Sequence, residues 1–197
     1  MKTTAFVIGN GLSRKPIDLK ILKKFGSIYG CNALYREFSP DHLIAVDTKM
    51  IKEINDTSYQ LTNSVWSNRN STTVKIKNLN IFDHKLGWSS GPSALHLASS
   101  HNFKKIFIIG FDFRGAGVNE EFLNNVYADT PNYRKSTQKF TYYGNWIRQT
   151  ANIINSNPLI KYTRVIVDKG GFVPSELEKY SNLTHITVDK FKEKFDC

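Results

Sequence analysis

The chain holds only two cysteines, Cys31 and Cys197, in 197 residues. They show neither a pairing pattern nor zinc-ligand spacing. This excludes a disulfide-stapled scaffold and fits a reducing compartment. Acids are also scarce, 17 against 27 lysines and arginines, for a net charge of +10. Such a balance suits an anionic partner. The basic residues, however, are spread along the chain, with no arginine-rich arm and no recognisable nucleic-acid motif. No apolar run approaches a membrane span. The start, Met1-Lys2-Thr3-Thr4, has no signal-peptide core, so a cytoplasmic setting is expected. Internal repeats and low-complexity segments are missing too.

What the chain does have is material for a core. With 40% hydrophobic and 13% aromatic residues, a chain of this length buries roughly 70% of its unfolded surface. One domain spanning residues 1–197 is expected.

Apolar runs at 4–8, 27–32, 42–46 and 105–110 read as strands, each closed by a polar residue or glycine. Further strands are expected at 72–77, where TTVKIK alternates, at 163–167 and at 183–188. Helical periodicity appears at 17–25, 48–56 with Thr48 as its cap, 91–101 and 141–155; Ser175 can cap another through residue 180. Residues 114–138 are polar and rich in Gly, Asn and Tyr, a long loop or lid. This alternation predicts an α/β, Rossmann-like, mostly parallel sheet with helices on both faces and a small lid-like insertion.

In such sheets ligands sit beyond the carboxyl ends of the strands. Asn10, Asn32, Asp47 and Asp112 all follow apolar strands. Gly9-Asn10-Gly11-Leu12-Ser13 directly follows the first. Glycines there can turn amides toward an anion, and a following helix N-terminus adds positive potential. A phosphate is the expected ligand. The dinucleotide fingerprint is broken, because Arg14 stands where its third glycine belongs and Cys31-Asn32 where its acid belongs. The P-loop pattern is missing. Asn32 offers an amide suited to a base or ribose edge. Ser89-Ser90-Gly91 precedes a helix, where small hydroxyl residues bind an anion or merely cap it. Asp47-Thr48-Lys49 and Asp112-Phe113-Arg114 each put a cation two residues after the acid, so no compact acidic metal motif forms. His42, His84, His96, His101 and His185 lack ligand spacing and are read as structural or surface residues. Trp66, Trp88 and Trp146 are expected in the core or on a cleft wall.

Two successions, Val7-Ile8-Gly9-Asn10-Gly11-Leu12-Ser13 and Gly30-Cys31-Asn32-Ala33-Leu34-Tyr35, resemble blocks of the bacterial sialyltransferases of glycosyltransferase family 42. So do Ser89-Ser90-Gly91 and Lys105-Ile106-Phe107-Ile108-Ile109-Gly110-Phe111-Asp112-Phe113. The blocks touch about a quarter of the chain and frame residues 5–155. The resemblance implies a CMP-sugar donor held by Gly9, Asn10, Gly11 and Ser13, with Asn32 on the nucleotide and Ser89, Ser90 and Gly91 facing the donor. It implies no metal and no cofactor beyond the nucleotide sugar. A lid at 114–138 would bring Tyr127, Tyr133 and Arg134 toward donor phosphate. Two departures stand out. Leu12 replaces the family's usual proline. In Tyr142-Tyr143-Gly144-Asn145, Asn145 occupies the place of the histidine base, and an asparagine takes no proton at neutral pH. The base then falls to Asp112, to Asp47 or to a tyrosine, unless the acceptor differs or the chain does not catalyse this reaction.

The expectation is transfer of a sugar from a nucleotide sugar to a hydroxyl acceptor, a glycan or an anionic acceptor such as modified nucleic acid. Asp112 is the preferred base and Tyr143 a donor to the leaving group, while Asp47 and Arg14 complete the binding set. The blocks are also similar to the archaeal hydroxymethylpterin diphosphokinase group, which would require Mg²⁺ and ATP. A non-catalytic nucleotide or nucleic-acid binding module is the third reading, motivated by Asn145.

Overall fold

The computed structural model describes residues 3–82, 88–140, 142–168 and 170–197; His84 lies outside them. Eight strands form one parallel sheet: β1 Thr4–Ile8, β2 Ser27–Cys31, β3 His42–Ile44, β4 Val65–Ser67, β5 Asn80–Ile81, β6 Lys105–Ile109, β7 Lys161–Ile166 and β8 Leu183–Thr187. Their order is β5-β4-β3-β2-β1-β6-β7-β8. The chain winds outward from β1 in one direction through β5, then returns beside β1 with β6 and winds the other way. The topological switch point therefore lies between β1 and β6, whose pairing runs from Thr4↔Lys105 to Ile8↔Ile109. This is the α/β, Rossmann-like fold that the alternation of elements predicts.

Period-two alternation sorts the central strands onto two faces. Ala5, Val7, Ile106 and Ile108 point to one face, under helices α3 (Ser90–Ser100) and α4 (Gly144–Ser156). Phe6, Ile8, Phe107 and Ile109 point to the other. That face is covered by α1 (Leu19–Leu22), α2 (Thr48–Asp56) and α6 (Val188–Phe195). There Phe6 stacks on Phe107 at 5.4 Å, and both meet the edges of Phe191 and Phe195. A further short helix, α5 (Ser175–Glu178), packs against α4.

Several expected elements are revised. The helix at 17–25 is a single turn, Leu19–Leu22, capped by Asp18, and Phe25 is exposed. Residues 72–77 are not a strand: Thr73–Lys75 is a 3-10 turn. There the Asn70 side chain accepts from the Thr72 and Thr73 amides, and the Thr73 hydroxyl donates to Asn68. Such local side-chain bonds compete with a sheet ladder, and Val74 is left exposed. The helix from Thr48 is capped by position 47, with no side-chain cap bond. Pro174, not Ser175, is the capping position of α5, which ends at Glu178. The α6 helix has no counterpart in the sequence reading.

Candidate functional site at the switch point

The exit turns of β1, β2, β3 and β6 enclose a cleft of about 360 Å³ with the N-terminal ends of α3 and α4. Gly9, Asn10 and Gly11 line it from β1, Asn32 from β2, Asp47 from β3 and Asp112 from β6. Ser89, Ser90 and Gly91 line it from the start of α3, and Tyr143 from the start of α4. Trp88 and Trp146 form walls, as expected of them, whereas Trp66 packs on Phe82 beneath the sheet's outer strands. Most of the residues singled out in sequence thus converge on one crevice, where the doubly wound topology puts a ligand.

Four amides of the turn at 9–13 are bonded within the protein rather than turned toward the cleft. The Gly9 amide donates to Ile109 at 2.7 Å and the Gly11 amide to Gly110 at 2.9 Å. The Leu12 amide donates to Asn124 Oδ1 at 2.8 Å, the Ser13 amide to Asp112 Oδ2 at 3.0 Å and the Arg14 amide to Gly11. The glycines serve close packing instead. A Cβ at Gly9 would sit 2.5 Å from the Gly110 carbonyl, and one at Gly11 2.5 Å from the Asp112 carboxyl carbon. Two adjacent central strands force their exit turns together, and only glycine fits.

Asp112 accepts from both the amide and the hydroxyl of Ser13. A carboxylate has about four acceptor sites, so it keeps capacity toward the cleft. Its turn is bent by Gly110 (φ +70°) and Phe113 (φ +57°). Left-handed backbone at a non-glycine residue is a cost found at ligand sites. Beneath the turn lies Arg164, a residue the sequence reading passed over as part of a strand. Only 2% exposed, it donates to the carbonyls of Phe111, Phe172 and Asp112, and burial lowers its pKa to about 10. The signal was there: an arginine in the middle of an otherwise buried strand needs partners.

Two polar atoms in the cleft lack partners among the described residues. Asn32, held at φ +55°, buries its Oδ1 without a hydrogen bond. Tyr143, 7% exposed between Phe140 and Trp146, buries its hydroxyl likewise. Burial raises the Tyr143 pKa; the nearby Asn124 amide opposes the rise but falls short of hydrogen-bond geometry. At the back of the cleft Ser90 Oγ accepts from the Val46 amide at 3.1 Å, and the Ser89 amide donates to Gln149. These bonds anchor α3 so that its first turn faces the cavity.

Five expected binding or catalytic residues are not cleft residues. Ser13 is buried behind the cleft, its amide and hydroxyl spent on Asp112. Arg14 is buried away from the cleft, paired with Glu37 at 2.6 Å and bonded to Tyr127 at 2.7 Å. Tyr133 packs on Tyr127, and its hydroxyl accepts from the Asn10 side chain and the Ala33 amide, so it orients Asn10 from behind. Arg134 bonds Gln138 and the Lys139 carbonyl within the lid. Asn145 accepts from Arg148 on an exposed part of α4. It follows Tyr143 by two positions, about 200° around the helix, so it does not share that residue's direction.

The lid is fastened rather than loose. The Val126 amide donates to the Asn10 carbonyl at 2.8 Å. Arg36 donates to Thr130 and to the Pro131 carbonyl while gripping Glu53, which also accepts from Asn132. Among the described residues no group of three His, Cys, Asp or Glu side chains is arranged to hold a metal ion, and no helix is long and apolar enough to cross a membrane. Compared with protein-family models, curated proteins and solved structures, the chain matches none.

Proposed function

We propose that this cleft binds a nucleotide sugar, CMP-linked as the sialyltransferase resemblance implies, and that the chain transfers the sugar to a hydroxyl acceptor. The observation that carries this reading is the pair of unpartnered buried polar atoms, Asn32 Oδ1 and the Tyr143 hydroxyl, in a crevice that also receives the N-terminus of α3. A buried polar atom left unbonded costs about 1–3 kcal/mol, and a ligand group removes that cost. Asn32 Oδ1 accepts from an amino or hydroxyl hydrogen of the nucleoside. The first turn of α3, with its positive end and small residues, receives the phosphate. This is a different phosphate seat from the turn at 9–13, where the amides of Gly9, Gly11, Leu12 and Ser13 are taken.

In the transfer step the bond between the anomeric carbon and the phosphate oxygen breaks as the acceptor oxygen bonds to that carbon. Asp112, kept in place by Ser13, takes the acceptor proton. Tyr143 donates its hydroxyl hydrogen to the departing phosphate, offsetting its developing charge. A thermal-shift panel tests the reading. CMP and CMP-sugars should raise the melting temperature, and Asn32→Ala should abolish the rise. A rise only with ATP and Mg²⁺ would replace this reading with the diphosphokinase one.

A further inference from the structure

The end of the sheet opposite the cleft carries a row of exposed lysines. There β2, β1, β6 and β7 lie side by side and start level, with Ala5 paired to Ser27, Thr4 to Lys105 and Lys105 to Lys161. Lys24 stands just ahead of β2, Lys104 just ahead of β6, and Lys105 and Lys161 open β6 and β7. The Lys161 amide donates to the Lys104 carbonyl at 3.0 Å, which holds those two segments together. The last turn of α6 brings Lys194 to the same end, where Phe195 meets Phe25 at 5.2 Å. All five lysines are exposed, and none forms an ion pair among the described residues. Lys105 and Lys161 are register neighbours on strands about 4.8 Å apart, and like charges so placed repel. The acids of this end are Asp41, Asp56, Glu178 and Asp196. Asp41 already accepts from the Ile28 amide at 2.7 Å, and Asp56 and Glu178 close α2 and α5 rather than open strands.

Two apolar side chains stand among these cations. Leu159, 94% exposed, projects from the turn between α4 and β7, which the Ile160 amide closes by donating to Asn157 at 3.1 Å. Phe25, 44% exposed, follows Lys23 and Lys24 in the turn into β2. A protruding leucine offers a nucleic acid neither a stacking ring nor a hydrogen bond. None of the cations is an arginine, so no planar fork meets a phosphodiester. A leucine does gain by entering the headgroup layer of a bilayer, and each lysine held near an anionic lipid surface adds attraction. An anionic surface also relieves the repulsion between Lys105 and Lys161.

We propose that this end of the domain docks on an anionic lipid bilayer, with Leu159 and Phe25 in the headgroup layer and the lysines against lipid phosphates. The cleft lies at the carboxyl ends of the same strands. It therefore faces away from the bilayer and stays open to its own ligand.

The test is cosedimentation of the full chain with lipid vesicles. In about 0.1 M salt, phosphatidylcholine vesicles with about one-third phosphatidylglycerol should bind the chain about tenfold more tightly than phosphatidylcholine alone. Salt at about 1 M, where the Debye length is ~3 Å, should release it. Lys105→Glu with Lys161→Glu should weaken anionic-vesicle binding about tenfold. Lys24→Glu with Lys104→Glu is the second pair, used if the first loses the native circular dichroism spectrum. Leu159→Ser should weaken vesicle binding about threefold and leave retention of a short DNA duplex unchanged. Equal binding to both kinds of vesicle, binding to neither, or vesicle binding indifferent to all these variants overturns the proposal. A duplex bound more tightly than anionic vesicles, and released by the lysine pairs, would overturn it in favour of a nucleic-acid surface.

Discussion

Ser13 gives both its amide and its hydroxyl hydrogen to the carboxylate of Asp112, joining the exit turns of the two strands that flank the switch point. A carboxylate gripped from one side is fixed in direction but not exhausted as an acceptor. Ser13→Ala should cost about 1–2 kcal/mol of stability through loss of a hydrogen bond to a charged group, read as a lowered urea midpoint with an unchanged slope. Asp112→Asn should abolish sugar transfer while CMP still raises the melting temperature. Loss of CMP binding would instead make Asp112 part of the donor site.

Tyr143→Phe separates binding from stability by sign. The hydroxyl is buried and unpartnered, so removing it should leave the fold as stable or up to ~1 kcal/mol more stable. CMP-sugar binding should weaken in the same variant. Denaturant unfolding and calorimetric titration measure the two effects, and a clear loss of stability would show that the hydroxyl serves the fold.

The lid latch should respond to one carboxylate. Glu53 receives Arg36, Tyr35 and Asn132, and the Arg36 hydrogen bonds, ahead of the others, lower its pKa to about 2. A carboxyl with a depressed folded pKa stabilises above its unfolded value and loses that contribution as pH falls toward 2. Glu53→Gln should mimic the acid state at neutral pH. Hydrogen exchange should then quicken across residues 130–134, while the β1 and β6 amides keep their protection.

A second pH effect has its origin at the opposite end of the sheet. His42 stacks on Tyr29 at 4.8 Å, and the Tyr29 hydroxyl bonds His101 Nδ1 at 2.6 Å. Burial lowers the pKa of both histidines; for His42 the proximity of His101 adds to it, and Asp41 opposes it. The folded state therefore binds fewer protons than the unfolded state around pH 6.5, and stability falls as pH drops below that value. His42→Gln with His101→Gln should lessen the wild type's fall in melting temperature between about pH 7 and 5; His185, whose pKa burial also lowers, accounts for part of what is left.

Arg164 is a structural cation whose fork spans three carbonyls. Arg164→Lys keeps the charge but cannot reach all three. A loss of about 2–4 kcal/mol is expected, with the exit turns of β6 and β7 loosening together in hydrogen exchange. An unchanged melting temperature would refute this role.

Much of the fold follows from local pattern. The apolar runs ending at Ile8, Cys31 and Ile109 are strands because buried parallel strands are continuous in β-branched and aromatic residues. Their polar successors Asn10, Asn32 and Asp112 mark the crevice because topology places strand ends there. Tertiary contact decided the rest. Gly9 and Gly11 look alike in sequence whether their turn cradles a phosphate or packs against Gly110 and Asp112. Arg14 looks like a binding cation until Glu37 and Tyr127 enclose it, and Asn145 shares a motif with Tyr143 but faces another way around α4. A sequence specifies which groups are present and their spacing along the chain. What each group bonds to depends on which distant segment folding brings against it.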